Sequence, residues 1–180
     1  MSISGFMFLK EVIIPQQVSV EVAGDKVKVS GPKGQIERQF KTFYDIKIEK
    51  TKNKMKIFSE SEKRKVKAMT GTIAGHIKNM IKGVTQGFTY RLRVIYLHFP
   101  VTVKVEGDKV LLQNFLGERT PRVAKIVGDA KVEVKGADIE VTGIDIEEVG
   151  ETANNIEQAA RIKARDRRVF QDGIWIIGKE

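Results

Sequence analysis

Gly24-Asp25-Lys26-Val27 and Gly107-Asp108-Lys109-Val110 are the same four residues, GDKV, met twice in a chain of 180. Four matching residues weigh little alone, so the flanks decide whether this is one folding unit written twice. On the same spacing Val18, Val20 and Val22 fall on Val101, Val103 and Val105. Past the turn, Val27, Val29 and Gly34 fall on Val110, Leu112 and Gly117. Apolar and polar residues alternate on both sides of a glycine-bearing turn, which is the pattern of a hairpin with one buried face. With one residue inserted, Ile48, Met55 and Ile57 fall on Val132, Ile139 and Val141, two further alternating strands per copy. The flanks agree, and the repeat is a duplication.

Each copy then changes period. Ser59 and Glu62 have capping-box spacing, and Val66, Met69, Ile73, Ile77 and Met80 follow at helical intervals, with Gly83 as the expected stop. In the second copy Asp145 and Glu148 mark the start, and Val149, Ala153, Ile156 and Ala160 make the apolar stripe. Phe88 to Leu97 returns to strand alternation before Pro100. The expected fold is α+β: two duplicated lobes, 1–97 and 98–180, each an antiparallel sheet with one covering helix.

Composition narrows the partners. The chain is 41% hydrophobic and has no cysteine, which excludes disulfides and cysteine-based zinc or redox sites. No apolar run approaches the ~20 residues of a membrane span, and the N-terminal hydrophobics precede Lys10, the reverse of a secretory signal. A soluble intracellular protein is expected. The formal charge of +9 points to a polyanion. Residues 1–90 hold 17 Lys/Arg against 8 Asp/Glu and residues 91–180 hold 15 against 15, yet the balanced half contains the densest basic run, Arg161 to Arg168. Local density therefore matters more than net charge.

The duplicated layout, Asn114-Phe115-Leu116-Gly117-Glu118-Arg119 and the stretch QAARIKARDRRVFQDGIWI from Gln158 to Ile176 together resemble the large-subunit ribosomal protein six family, in its archaeal and eukaryotic branch. The resemblance implies a non-catalytic constituent of the large ribosomal subunit whose C-terminal lobe is the main rRNA-binding part. It implies a place near the sarcin–ricin loop and the stalk base, beside the docking region of translational GTPases. It also implies neighbouring ribosomal proteins as partners, no membrane, no cofactor and a cytoplasmic location in the ribosome.

The copies can be compared with each other. Aligned on Ile81-Lys82 and Ile162-Lys163, the first continues Gly83-Val84-Thr85-Gln86-Gly87, and the second Ala164-Arg165-Asp166-Arg167-Arg168. Cations at a helix C-terminus gain ~0.3–1 kcal/mol each at a surface, which accounts for one or two of them. Phosphate recognition accounts for the cluster, because guanidinium forks pair with phosphate oxygens and displace counterions. The expected rRNA-binding residues are Arg161, Lys163, Arg165, Arg167, Arg168 and Lys179. Lys33, Asn114, Phe115, Leu116, Gly117 and Arg119 are further candidates for RNA or partner contacts, Phe115 and Leu116 with core packing as the alternative. Gly31-Pro32-Lys33-Gly34 has the GxxG of an RNA-clamping KH loop but lies between strands, where a hairpin turn is expected. The lysines at 47, 50, 52, 54 and 56 read as a solvated strand face and turn. Gly71 and Gly75 read as close helix–sheet packing. Phe170 and Trp175 are assigned to the core or a packed tail rather than to base stacking.

An enzyme needs converging groups. His76 and His98 stand far apart in sequence, and no nucleophile elbow or phosphate-binding glycine loop occurs. A basic protein-binding adaptor outside the ribosome is the competing class; it predicts a broad charged rim around apolar hot spots rather than one arginine cluster.

Overall fold

A computed structural model describes residues 8–40, 44–61, 63–163, 165–166 and 168–180. The chain divides into two compact units between Gln86 and Gly87. In the first, strands β1 (Phe8–Ile13), β2 (Ser19–Ala23), β3 (Lys26–Gly31), β4 (Gly34–Gln39), β5 (Lys47–Thr51) and β6 (Lys54–Ser59) precede helix α1 (Arg64–Thr85). They pair antiparallel in the orders β1-β6-β5 and β2-β3-β4. The second unit comprises β7 (Phe88–Ile95), β8 (Thr102–Glu106), β9 (Lys109–Gln113), a 3₁₀ turn (Phe115–Gly117), β10 (Arg122–Lys125), β11 (Lys131–Lys135), β12 (Asp138–Gly143), α2 (Ile146–Ala159) and β13 (Gly173–Lys179). Its sheets run β10-β9-β8 and β11-β12-β7-β13. The α+β architecture with one helix per unit is as expected, with the sheet of each unit split in two.

The GDKV turns are equivalent. Each closes a two-residue hairpin, Ala23 facing Lys26 and Glu106 facing Lys109. Gly24 and Gly107 take φ of 60° and 55°, and a Cβ at either would meet nothing within 4 Å. Backbone conformation, not space, therefore selects glycine there. The aspartates match as well: the Asp25 carbonyl accepts from the Phe40 N–H at 2.8 Å, and that of Asp108 from the Ile126 N–H at 2.8 Å.

Each unit has its own core. Val20, Val27, Val29, Met55 and Ile57 pack with Ile73, Ile77 and Met80 of α1 in the first. Val110, Leu112, Ile139 and Val141 pack with Val149, Ala153 and Ile156 of α2 in the second. A buried isoleucine contributes ~1.5–3 kcal/mol, so truncating Ile77 or Ile156 costs about 2–5 kcal/mol once the cavity is included.

Four expectations change. The strand at 88–95 does not finish the first copy: it lies between β12 and β13, hydrogen-bonded to both, because its inward Leu92 and Val94 complete the second core. Its counterpart is β1, which pairs with β6 as β7 does with β12. The lobe boundary after residue 97 thus gives way to one before β7, and β13 has no counterpart among the described residues of the first unit. Gly83 is inside α1 and buried; the helix ends at Gln86, and Gly87, at φ 75°, turns the chain. The α1 N-terminus at Lys63 has no side-chain cap, Ser59 is the last residue of β6, and Glu62 lies outside the described residues. Cβ atoms on Gly71 or Gly75 would touch nothing within 4 Å, so neither is there for close packing. In α2, by contrast, Asp145 caps as expected, its carboxylate accepting from the Glu147 N–H at 2.8 Å.

Candidate nucleic-acid interface

A helix C-terminus presents carbonyls that lack intrahelical donors, and both units serve them with a cation from a strand connection. In the first unit the β3–β4 turn docks on α1. The Lys33 N–H donates to the Val84 carbonyl at 3.0 Å and its ammonium donates to the Gln86 carbonyl. Gly31 is required there, since a Cβ would lie 2.8 Å from the Val84 side chain. Lys33, a candidate RNA contact, is thus engaged with the helix end. In the second unit the same service comes from Arg122, at the start of β10. Its guanidinium donates to the carbonyls of Ala159 at 3.0 Å and Arg161 at 2.8 Å.

Arg122 also fixes the loop from Asn114 to Arg119. It donates through Nε and Nη2 to both carboxylate oxygens of Glu118, at 2.8 and 2.5 Å, and lies over the Phe115 ring, 4.5 Å from its centroid. Phe115 is 1% exposed, which decides its role as core; Leu116 is half-buried. Asn114, Leu116 and Gly117 all take positive φ (59°, 52° and 77°). That conformation is strained for leucine, and burial of Phe115 offsets the strain. The Asn114 amide donates to the Pro100 carbonyl at 3.0 Å, and Gly117 lies against the Phe99 ring, 3.4 Å from where its Cβ would be. Asn114 and Gly117 therefore shape the loop, and Arg119 is exposed on it.

The Arg122 bridge brings this loop to the basic run. Its bond to Glu118 holds that carboxyl below the usual glutamate range, an effect reinforced by the nearby charges of Arg165 and Lys163. The sequence alignment with α1 does not carry over to structure. Of the first-copy residues aligned with the run, Gly83 to Thr85 still belong to α1, whereas the described residues of the run lie outside helix and strand, between α2 and β13. Helix packing imposes no charge on it. The segment is moored from within: Asp172, 2% exposed, accepts from the Leu97 N–H at 2.6 Å and lies 2.9 Å from Nδ1 of His98. The His98 ring stacks on Phe170 at 4.6 Å, and Arg165 lies over the other partner in that stack, 4.7 Å from the Phe170 centroid. His98 is thus a structural anchor.

The cations differ in what they have left to offer. Arg168 is tied to Asp166, at 2.9 Å, which lowers the pKa of Asp166 and raises that of Arg168. Arg91 and Arg93 are held by Glu180 and Asp138. Lys179 is swung by a bulge between Ile176 and Gly178 to lie over Tyr90, 5.3 Å from the ring centroid. Arg119, Arg161 and Lys163 are exposed and make no side-chain ion pair or hydrogen bond among the described residues, and Arg165 makes only its ring contact. Arg167 lies outside the described residues. Of the first-unit lysines, Lys47 pairs with Glu60, Lys54 with Glu11, and Lys50 donates to the Val20 carbonyl.

Two features escaped sequence reasoning. Nothing local marks Arg122 except its position four residues after Glu118, and Asp172 reads as one more loop aspartate. Trp175, expected in the core or a packed tail, is 40% exposed on β13. A groove of about 780 Å³ opens beside it, between the end of α2 and the start of β13.

The family model for ribosomal protein L6 matches the chain twice, over residues 14–87 and 99–173. The chain is 54% identical to the large ribosomal subunit protein uL6 of Staphylothermus marinus, over 93% of this chain and 92% of that one. It is 51% identical to that of Archaeoglobus fulgidus (92% and 87% covered) and 49% identical to that of Aeropyrum pernix (96% and 94% covered).

Proposed function

The chain belongs to the ribosomal protein L6 family, and from that premise we propose that its second unit binds large-subunit rRNA through Arg119, Arg161, Lys163 and Arg165. The family consists of structural, non-enzymatic constituents of the large ribosomal subunit, in the cytoplasm. One observation carries the assignment of surface: Arg119, Arg161 and Lys163 are exposed with no ion-pair or hydrogen-bond partner among the described residues, Arg165 makes only its contact with the Phe170 ring, and Glu118, the carboxylate near Lys163 and Arg165, is bonded to Arg122. Free guanidinium and ammonium groups on a moored backbone suit phosphate oxygens. The resemblance of Gln158 to Ile176 to its family supports a site near the sarcin–ricin loop and the stalk base, beside the docking region of translational GTPases, with neighbouring ribosomal proteins around the first unit. The protein holds rRNA tertiary structure there and performs no chemistry.

The test is salt dependence. Replacing Arg119, Arg161, Lys163 and Arg165 by glutamine flattens the log–log salt slope of rRNA binding by roughly 3–4 units, at ~0.9 per duplex phosphate contact. Neutralising Lys47, Lys50, Lys52 and Lys54 removes the same formal charge and changes the slope little. Equal losses in two folded variants mean a diffuse cation, and the assignment fails.

A further inference from the structure

We infer that the groove beside Trp175 receives an unpaired nucleotide of RNA, its base laid against the indole and its phosphate held at Arg161. This rests on the RNA-binding reading above and names what part of the RNA the second unit takes.

The groove runs along the side of β13 that has no strand neighbour among the described residues, the other side being paired with β7. Ile95, Ile162, Ile174 and Trp175 give it apolar walls, and Gln158 and Gln171 contribute amides. The indole lies against its own strand. Its Nε1, Cε2 and Cζ2 lie 3.1, 3.3 and 3.4 Å from where a Gly173 Cβ would be. The ring therefore packs over the backbone of residue 173, where a side chain would crowd it. It is seated on a strand yet 40% exposed. A half-exposed aromatic lining the same groove as a cation is what base stacking needs, because every base offers a π face and the phosphate follows it.

The groove suits a polyanion despite its two carboxylates. Asp172 faces inward to the Leu97 N–H and His98. Glu157 points its Oε1 at the Ile176 N–H, 3.5 Å away. The Arg161 guanidinium, in contrast, has no ion-pair or hydrogen-bond partner among the described residues, while its carbonyl is pinned by Arg122. The Gln158 amide likewise makes no hydrogen bond among them, leaving a donor and an acceptor for a base edge. A duplex keeps its bases stacked on each other and cannot use the indole, so the groove discriminates single-stranded from paired RNA.

Trp175 is the chain's sole tryptophan, so fluorescence of the full-length protein reports this groove alone. A single-stranded RNA of roughly eight nucleotides, within the span of one stacking site, should quench it saturably at low salt. A blunt duplex of the same length should bind without quenching. Trp175→Ala should weaken the single strand about tenfold, as for loss of one stacked base, and leave duplex binding unchanged. Trp175→Phe keeps a ring and should recover most of the affinity, which separates stacking from misfolding. Single-strand binding without quenching, quenching by the duplex alike, or full affinity in folded Trp175→Ala overturns the proposal and leaves this face to a protein neighbour. Failure of every RNA to bind instead sinks the RNA-binding reading itself.

Discussion

Arg122 shows how one side chain joins parts that sequence lists separately. It caps α2, grips Glu118 with two bonds and covers Phe115. Hydrogen bonds to charged groups contribute ~1.5–3 kcal/mol, so Arg122→Ala should lower the urea-derived stability of the second unit by about 2–3 kcal/mol at neutral pH. The pH dependence gives the same contact an independent readout. The Glu118 carboxyl is depressed by Arg122, so its contribution is complete above the ordinary glutamate value of about 4.3. It is lost as pH falls through the lower folded value. Between pH 5 and pH 3 the wild type should therefore lose stability more steeply than Arg122→Ala. Parallel curves would show that the pair contributes nothing to folding.

The helices of the two copies are alike in placement and different in finish. α2 starts on a capping aspartate with Glu147 and Glu148 in its first turn, which suits the dipole. α1 starts uncapped at Lys63 with no acidic residue in its first turn, and carries Gly71 and Gly75 with open space around both. Helical glycine costs ~1 kcal/mol relative to alanine. Gly71→Ala and Gly75→Ala should each raise the unfolding free energy of the first unit by about that amount, read as a higher urea midpoint with an unchanged slope. A loss of stability would mean that these glycines accommodate contacts after all. The connection after each helix differs as well: α1 passes to β7 through Gln86 and Gly87, whereas α2 passes to β13 through the whole basic segment. That segment, with its exposed cations, is what most distinguishes the second connection from the first.

On the scale of the molecule, the position of β7 decides where the units can be cut. It is the inner strand between β12 and β13 and supplies Phe88, Leu92 and Val94 to the second core. A fragment of residues 87–180 should fold alone, with a cooperative urea transition. A fragment of 98–180, cut where hydropathy alone places the junction, should not, because β13 would lose its ladder, β12 one of its two partners, and Ile139, Val141 and Ile174 their cover. Cooperative folding of the shorter fragment would contradict this topology.

Sequence by itself determined the duplication, the equivalent hairpins and single helix of each copy, the α2 cap, and the basic segment. Each is written in local signals: period 2 or 3.6, a glycine at a positive-φ turn, an aspartate before an apolar stripe, a run of like charges. Tertiary structure alone decided which unit β7 joins, that Phe115 is core while Trp175 is exposed, and which cations remain free. Those outcomes depend on pairs remote in sequence, such as Arg122 with the Arg161 carbonyl and His98 with Asp172. A carboxylate or carbonyl brought close by folding cancels a cation that looks identical to its neighbours in the chain. Charge is visible in sequence, but its availability is set by geometry.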